Sequence, residues 1–375
     1  EEFRRGGDLL NRPPHEANVA EQTEHSINGG GLKFDYFSPN ENHRFNVFAS
    51  AQHINRDSYY GPGDRDPLDA YGNTTDLNWM AGSQYVYSFG KCIFMPSDLT
   101  AGIEFNQDKL EDNMWGYNRT VDQKVNIGSA FLQNEWKNDH WGFLIGGRLD
   151  KHNLIDHVIF SPRANLRYNP TENINLRFSY SSGFRAPQAF DEDLHVENVG
   201  GNVAMVELAD NLKEERSQSL SASADIYHRF GAFQVNFLVE GFYTKLSDVF
   251  ALTDGEVVDG ILTRTRHNAS GAQVLGLTLE GKMAYLNKIQ VQAGVTLQQS
   301  HYSKPHIWNK EAPVVKKMMR TPNTYGYFTA TYTPIKPLSI ALSGTYTGSM
   351  LVPHEPVPGF LENPITVNTK DFFDI

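Results

Sequence analysis

Cys92 is the only cysteine in 375 residues, so neither a disulfide framework nor a cysteine metal cluster is available. No apolar run reaches the roughly 18 residues of a membrane-spanning helix, which excludes such a helix. Blocks rich in Lys and Arg are missing and the formal net charge is −11, which argues against a nucleic-acid partner. Helical periodicity is nearly absent. For catalysis the chain offers no nucleophile elbow, no acid–base pair at usable spacing and no phosphate-binding glycine loop. Its 13 histidines are scattered, with no "HExxH" and no close pair. Gly29, Gly30 and Gly31 lie inside a strand pattern and read as a bulge or a close backbone approach instead of a phosphate cradle. No enzymatic activity and no required cofactor are expected. The chain opens on Glu1 without Met or signal peptide and stops at "DFFDI" within a strand pattern. Both ends look cut, and the missing signal carries no information about compartment.

Alternation with a period of two is what the chain has instead. In "IQVQAGVTLQ", Ile289, Val291, Ala293, Val295 and Leu297 form one face and Gln290, Gln292, Gly294, Thr296 and Gln298 the other. "FQVNFLVEGFY" sets Phe233, Val235, Phe237, Val239 and Tyr243 against Gln234, Asn236 and Glu240, and "PLSIALSGTYT" repeats the pattern. A mean hydropathy of −0.47 is compatible with such strands, because a spanning β-strand needs only every second residue apolar over about 9–11 positions.

Short and long connections alternate along the chain. The short ones are "SPNENH" (38–43), "GKCIFMPS" (90–97), "KNDH" (137–140), "NPTEN" (169–173), "RFGA" (229–232), "LNK" (286–288) and "TPIKP" (333–337). Longer stretches fall near 55–75, 108–124, 152–158, 185–214, 249–268, 302–321 and 350–370. An up-and-down meander with tight turns at one rim and elaborated loops at the other gives this rhythm. Aromatics such as Tyr36, Tyr87, Trp136, Trp141, Tyr168, Phe233, Tyr285 and Tyr332 punctuate the short-turn rim, as an interfacial girdle does. Roughly 14 complete strands are expected between residues 20 and 349, with partial ones at each end. The second face, rich in Gln, Asn, Ser, Thr and Glu, suits a water-filled or plugged lumen better than a sandwich core. The expected fold is all-β: a transmembrane antiparallel up-and-down β-barrel whose apolar face meets lipid.

One segment carries a resemblance. "FSPRANLRYNPTENINLRFSYSSGFRAPQAFDE" (160–192) resembles a hallmark barrel segment of TonB-dependent outer-membrane receptors. The matching residues are Ser161, Pro162 and Arg163, then Tyr168 and Pro170, then Gly183, Phe184, Arg185, Ala186 and Pro187. Further echoes are "QNEW" (133–136) before "GGRLDKH" (146–152), and "VLGLTLEG" (274–281). "RRGGD" and "INRDSYYG" (54–61) look like versions from Bacteroidetes, some of which resemble cobalamin or siderophore receptors. The resemblance implies that residues 1–375 are a fragment of a β-barrel domain of about 22 strands, with the plug domain and terminal strands outside it. It implies a Gram-negative outer-membrane receptor that binds a scarce nutrient of the ferric siderophore, haem or cobalamin class. The partners implied are outer-membrane lipid, a TonB energy-coupling complex acting through the plug, and a surface lipoprotein as a further candidate. The alternatives are a passive porin or adhesin barrel and a soluble carbohydrate-binding module.

Within the hallmark segment, Ile174, Leu176, Phe178 and Tyr180 are expected to face lipid, and Asn175, Arg177, Ser179 and Ser181 the lumen. Gly183 is expected to let the backbone change direction, and Pro187 to end ladder pairing. Trp115 and Tyr117, in "EDNMWGYNRT", either meet a large planar ligand or pack their own loop. Asp191, Asp193 and His195 lie on the acidic loop after "GFRAP", where His195 is a ligand for a ferric chelate or plain polar surface. Asp64, Asp66 and Asp69 offer oxygens at near-alternate positions for calcium, without the Gly and Glu of an EF-hand.

Overall fold

Alternating side chains on extended backbone can bury or expose a whole face only if neighbouring strands keep register. The computed structural model shows that they do. It describes residues 2–6, 11–17, 20–61, 70–117, 119–188, 203–258, 261–286, 288–309, 311–354, 356 and 359–375. The first half runs β1 (Glu2–Gly6), β2 (Ala20–Phe37), β3 (His43–Gly61), β4 (Tyr71–Cys92), β5 (Met95–Met114), β6 (Arg119–Lys137), β7 (Trp141–His152), β8 (Ile159–Thr171) and β9 (Ile174–Arg185). Next come β10 (Val203–Leu208), β11 (Glu215–Phe230), β12 (Phe233–Ser247), β13 (Phe250–Val258), β14 (Ile261–Asn268), β15 (Ala272–Tyr285) and β16 (Ile289–His306). The last are β17 (Val315–Lys317), β18 (Thr324–Ile335), β19 (Leu338–Thr347), β20 (Leu351–His354), β21 (Ile365–Asn368) and β22 (Phe372–Asp374).

The wall is one antiparallel meander. Each strand from β1 to β9 pairs with the next, and the ladder continues β9–β11–β12–β15–β16–β18–β19–β22. Between residues 20 and 349 this gives fourteen wall strands, β2 to β9 with β11, β12, β15, β16, β18 and β19, with β1 and β22 as short strands at the two ends. Among the described residues no helix is long and apolar enough to cross a membrane.

Register turns the alternation into predominantly apolar rows. Phe34, Val47, Ser83, Ile103, Ala130, Leu149 and Phe160 stand opposite one another from β2 to β8. Leu166, Phe178, Ala222, Gly241, Leu277 and Leu297 do so from β8 to β16. The other face is stitched by hydroxyls, with Ser179 and Ser221 at 2.7 Å, Ser219 and Thr244 at 2.9 Å, and Thr278 and Thr296 at 3.0 Å. Phe34, Ile103 and Phe160 are exposed, which in water would be unfavourable and in hydrocarbon is the stable arrangement. At the short-turn rim the rings stack: Trp141 on Tyr168 at 4.2 Å, Phe94 on Trp136 at 5.6 Å, and Phe233 against Tyr285 at 4.5 Å.

Several expectations are corrected. The described residues of the stretches 55–75 and 108–124 are mostly strand, because β3 to β6 run on well past the roughly 9–11 residues that span a bilayer. The stretch 249–268 is not irregular. It holds the hairpin β13–β14, whose β14 pairs in parallel with β10 to make a separate three-stranded sheet. Gly29 to Gly31 form no bulge, since their pairing with Ala51 to Gln52 and Ser50 is unbroken. Gly183 does not redirect the chain. It stays in the ladder opposite Ser217, and the strand ends after Arg185.

Candidate functional site

The elongated strands carry a layer of buried polar groups beyond the apolar band. Arg56, Thr74 and Asp112 occupy one cross-strand row of β3, β4 and β5. Arg119, at the start of β6, donates to the Asp112 carboxylate. Thr74 donates to the other Asp112 oxygen at 2.6 Å, and Arg56 Nε donates to Thr74 Oγ1 at 3.1 Å while its guanidinium lies 3.7 Å from Asp112. Asp112 is fully buried, and a buried carboxylate is tolerated only with such partners. The row braces the hairpin tip that bears Trp115 and Tyr117.

That tip separates the two aromatics. Tyr117 is 2% exposed and its hydroxyl donates to the Tyr60 carbonyl, so it packs the turn against Tyr60 and Met114. Met205 of β10 joins this cluster, bringing the three-stranded sheet onto the tip of the β5–β6 hairpin. Trp115 is 66% exposed to solvent. Asp64, Asp66, Asp69, Asp191, Asp193 and His195 lie outside the described residues. Among the described residues no group of three or more His, Cys, Asp or Glu is placed to hold a metal ion.

The end of the hallmark segment is an anchor. Phe184 and Arg185 pair with Arg216 and Glu215 of β11, while Ala186 and Pro187 are buried. The Arg185 guanidinium lies 5.7 Å from the ring centroid of Phe250, with Arg266 at 5.8 Å from the same ring, within cation–π range. Glu215 accepts from the Phe250 backbone at 3.0 Å. These contacts tie the start of β13 to the wall. Beside them, Glu214 accepts from Arg216 at 2.8 Å and meets His157 of the β7–β8 connection at 3.0 Å. Burial pushes the Glu214 carboxyl up, but the hydrogen bonds from Arg216 and His157 more than offset it and hold the carboxyl below the usual range.

Toward the short-turn end the lumenal face holds a second polar cluster. Glu280 pairs with Lys282 at 2.7 Å and accepts from the Tyr327 hydroxyl, which itself accepts from Gln292 at 2.7 Å. Tyr327 reaches across because Gly294 lies beneath it, where a Cβ would come within 2.7 Å of the ring. Asp225 accepts from Tyr227 at 2.7 Å and from Asn236. The sequence pattern assigns Gln292 to this face correctly. It gives no signal for Asp112, Arg119 or Glu214, and the register shift between Phe89 and Cys92 means that counting back from the β4–β5 turn does not set Thr74 opposite Asp112. Chemically, the outer row is buried and engaged with itself, the inner cluster offers polar groups to the lumen, and neither presents a nucleophile poised beside a base.

Comparison with known proteins agrees with this architecture. The profile described as TonB dependent receptor-like, beta-barrel matches residues 4–361. No curated protein matches the sequence. The fold is similar to the siderophore receptor PirA of Acinetobacter baumannii, with a TM-score of 0.68 at 14% identity over 95% of this chain and 55% of that one. It is also similar to the outer membrane transporter YddB of Escherichia coli, with a TM-score of 0.68 at 9% identity over 95% of this chain and 56% of that one. The FrpB iron transporter of Neisseria meningitidis gives a TM-score of 0.67 at 14% identity over 99% of this chain and 59% of that one. The chain thus spans little more than half the length of these structures. Such a family is one of receptors and transporters, not of enzymes. With its apolar rows turned outward and its polar ladder inward, the chain belongs to the TonB-dependent receptor β-barrel family and resides in the Gram-negative outer membrane.

Proposed function

We propose that the protein takes up a scarce nutrient of the ferric siderophore, haem or cobalamin class, binding it at the long-connection rim on the cell exterior. Uptake is coupled to the proton-motive force through a plug domain and TonB. The observation that carries this reading is the rim itself: strands carried far beyond the bilayer, braced by the Arg56–Thr74–Asp112–Arg119 row and presenting Trp115 to solvent. The siderophore and iron specificities of PirA and FrpB support the iron branch of the class.

Uptake of radiolabelled ferric siderophores, haem and cobalamin by cells expressing the full-length protein tests the proposal. The expected result is accumulation of one of them that a protonophore abolishes. Accumulation indifferent to the protonophore would instead identify a passive pore.

A further inference from the structure

The lipid-facing surface carries a recess that nutrient uptake does not use. A shallow hollow of about 400 Å³ is lined by Ile289, Ala330, Thr331, Tyr332, Ile340 and Leu342. Ile289, Tyr332 and Ile340 form one cross-strand row of β16, β18 and β19, and Ala330 and Leu342 pair in the next row of the same face. The small Ala330 side chain makes the floor between larger neighbours. Ile340 and Leu342 are 54% and 52% exposed, so the wall is apolar and open outward.

The turns next to this hollow are basic. The backbone N–H of Leu286 donates to Ala232 at 3.2 Å, and that of Thr333 donates to Lys288 at 2.7 Å. The turns after β11, β15 and β18 therefore sit side by side. They carry Arg229, Lys288 and Lys336 and no carboxylate, whereas the turns after β2, β6 and β8 carry Glu41, Asp139 and Glu172. Lys288 and Lys336 are exposed, and among the described residues no salt bridge joins either to a carboxylate. In a chain of net charge −11 this sector opposes the overall sign.

We propose that this corner of the wall binds one anionic glycerophospholipid, with an acyl chain in the Ala330 hollow and the phosphate held between Lys288 and Lys336. An apolar trough ending at two cations matches an amphiphile, since free phosphate would use the lysines and leave the hollow idle. A zwitterionic lipid would use the hollow and gain little from the lysines. Each lysine near an anionic lipid favours it by about fivefold, so the pair selects it by about 25-fold.

Native mass spectrometry of the detergent-solubilised protein, titrated with phosphatidylglycerol and phosphatidylcholine of matched chains, reads this preference. The expected result is about 25-fold stronger retention of phosphatidylglycerol, falling to near parity in the Lys288→Gln/Lys336→Gln double variant. Lys91→Gln, near the end of β4 beside a different short turn, should leave the preference intact. Equal retention of both lipids by the unaltered protein, or an undiminished preference in the double variant, overturns the proposal, as does displacement of phosphatidylglycerol by millimolar inorganic phosphate. An independent reading uses Tyr332→Trp, whose fluorescence in excess of that of the unaltered protein, which has five tryptophans, should be quenched more by brominated phosphatidylglycerol than by brominated phosphatidylcholine. Equal quenching overturns the site. Neither measurement depends on nutrient uptake, so the two proposals fail separately.

Discussion

Replacing Ala293 by Arg puts the face assignment at risk most directly. Ala293 stands opposite Gly281 and Phe328 and is exposed on the apolar side of β16. Four residues separate it from Ile289 at the short turn, or about 14 Å along the strand at roughly 3.4 Å per residue. With a tilt of about 40° that is roughly 10 Å along the membrane normal, close to the middle of an apolar band about 25 Å tall. A guanidinium there costs about 2–4 kcal/mol, roughly a 30- to 900-fold loss in the folded-to-unfolded ratio. Gln292→Arg places the same charge one residue away but in the lumen. It forfeits the 2.7 Å bond to Tyr327, worth about 1 kcal/mol. Reversible guanidinium unfolding in phospholipid vesicles, followed by tryptophan fluorescence, measures both. Equal losses for the two variants would refute the assignment of faces, and a larger loss at Gln292 would invert it.

Orientation is tested in a Cys92→Ser background by surface labelling of intact cells. Trp115→Cys should react, Asp139→Cys should be protected, and the opposite pattern sinks the proposal that the long-connection rim is external. Asp112→Ala leaves the Arg56 and Arg119 guanidinium groups buried without their carboxylate, at a cost of about 3–5 kcal/mol. Hydrogen exchange should show it as lost protection across the β5–β6 tip, and unchanged protection would disprove the bracing role. Glu214 has its carboxyl held low in the folded protein, so its contribution is present above the unfolded carboxylate range and is lost as pH falls through the lowered value. Protection of the 152–158 connection, corrected for the intrinsic exchange rate at each pH, should therefore fall on acidification below about pH 4, and the Glu214→Gln variant should lose that pH response.

Much of the wall was legible in the chain because its determinants are local. Alternation in "IQVQAGVTLQ" and the turn residues at 38–43, 137–140 and 286–288 define strand, face and hairpin within a dozen residues. A one-residue slip would turn every apolar side chain into the lumen. The fourteen wall strands, the aromatic rim and the lumenal placement of Gln292 follow from that alone. The extension of β3 to β6 was hidden because the buried face of their outer ends carries polar residues such as Arg56, Ser58 and Asp112, so the apolar–polar contrast is lost in "NRDSYY" and "KLEDNM". Tyr117 and Trp115 look alike in sequence; only the Tyr60 carbonyl and Met114, brought close by pairing of β3, β4 and β5, bury one and leave the other outside. The parallel pairing of β10 with β14 and the meeting of Asp112 with Arg56 join segments tens of residues apart, through contacts that no local pattern encodes. Tertiary structure decided the outer layer, because there the partners of each polar group are chosen by which strands lie side by side and not by the residues next to it in the chain.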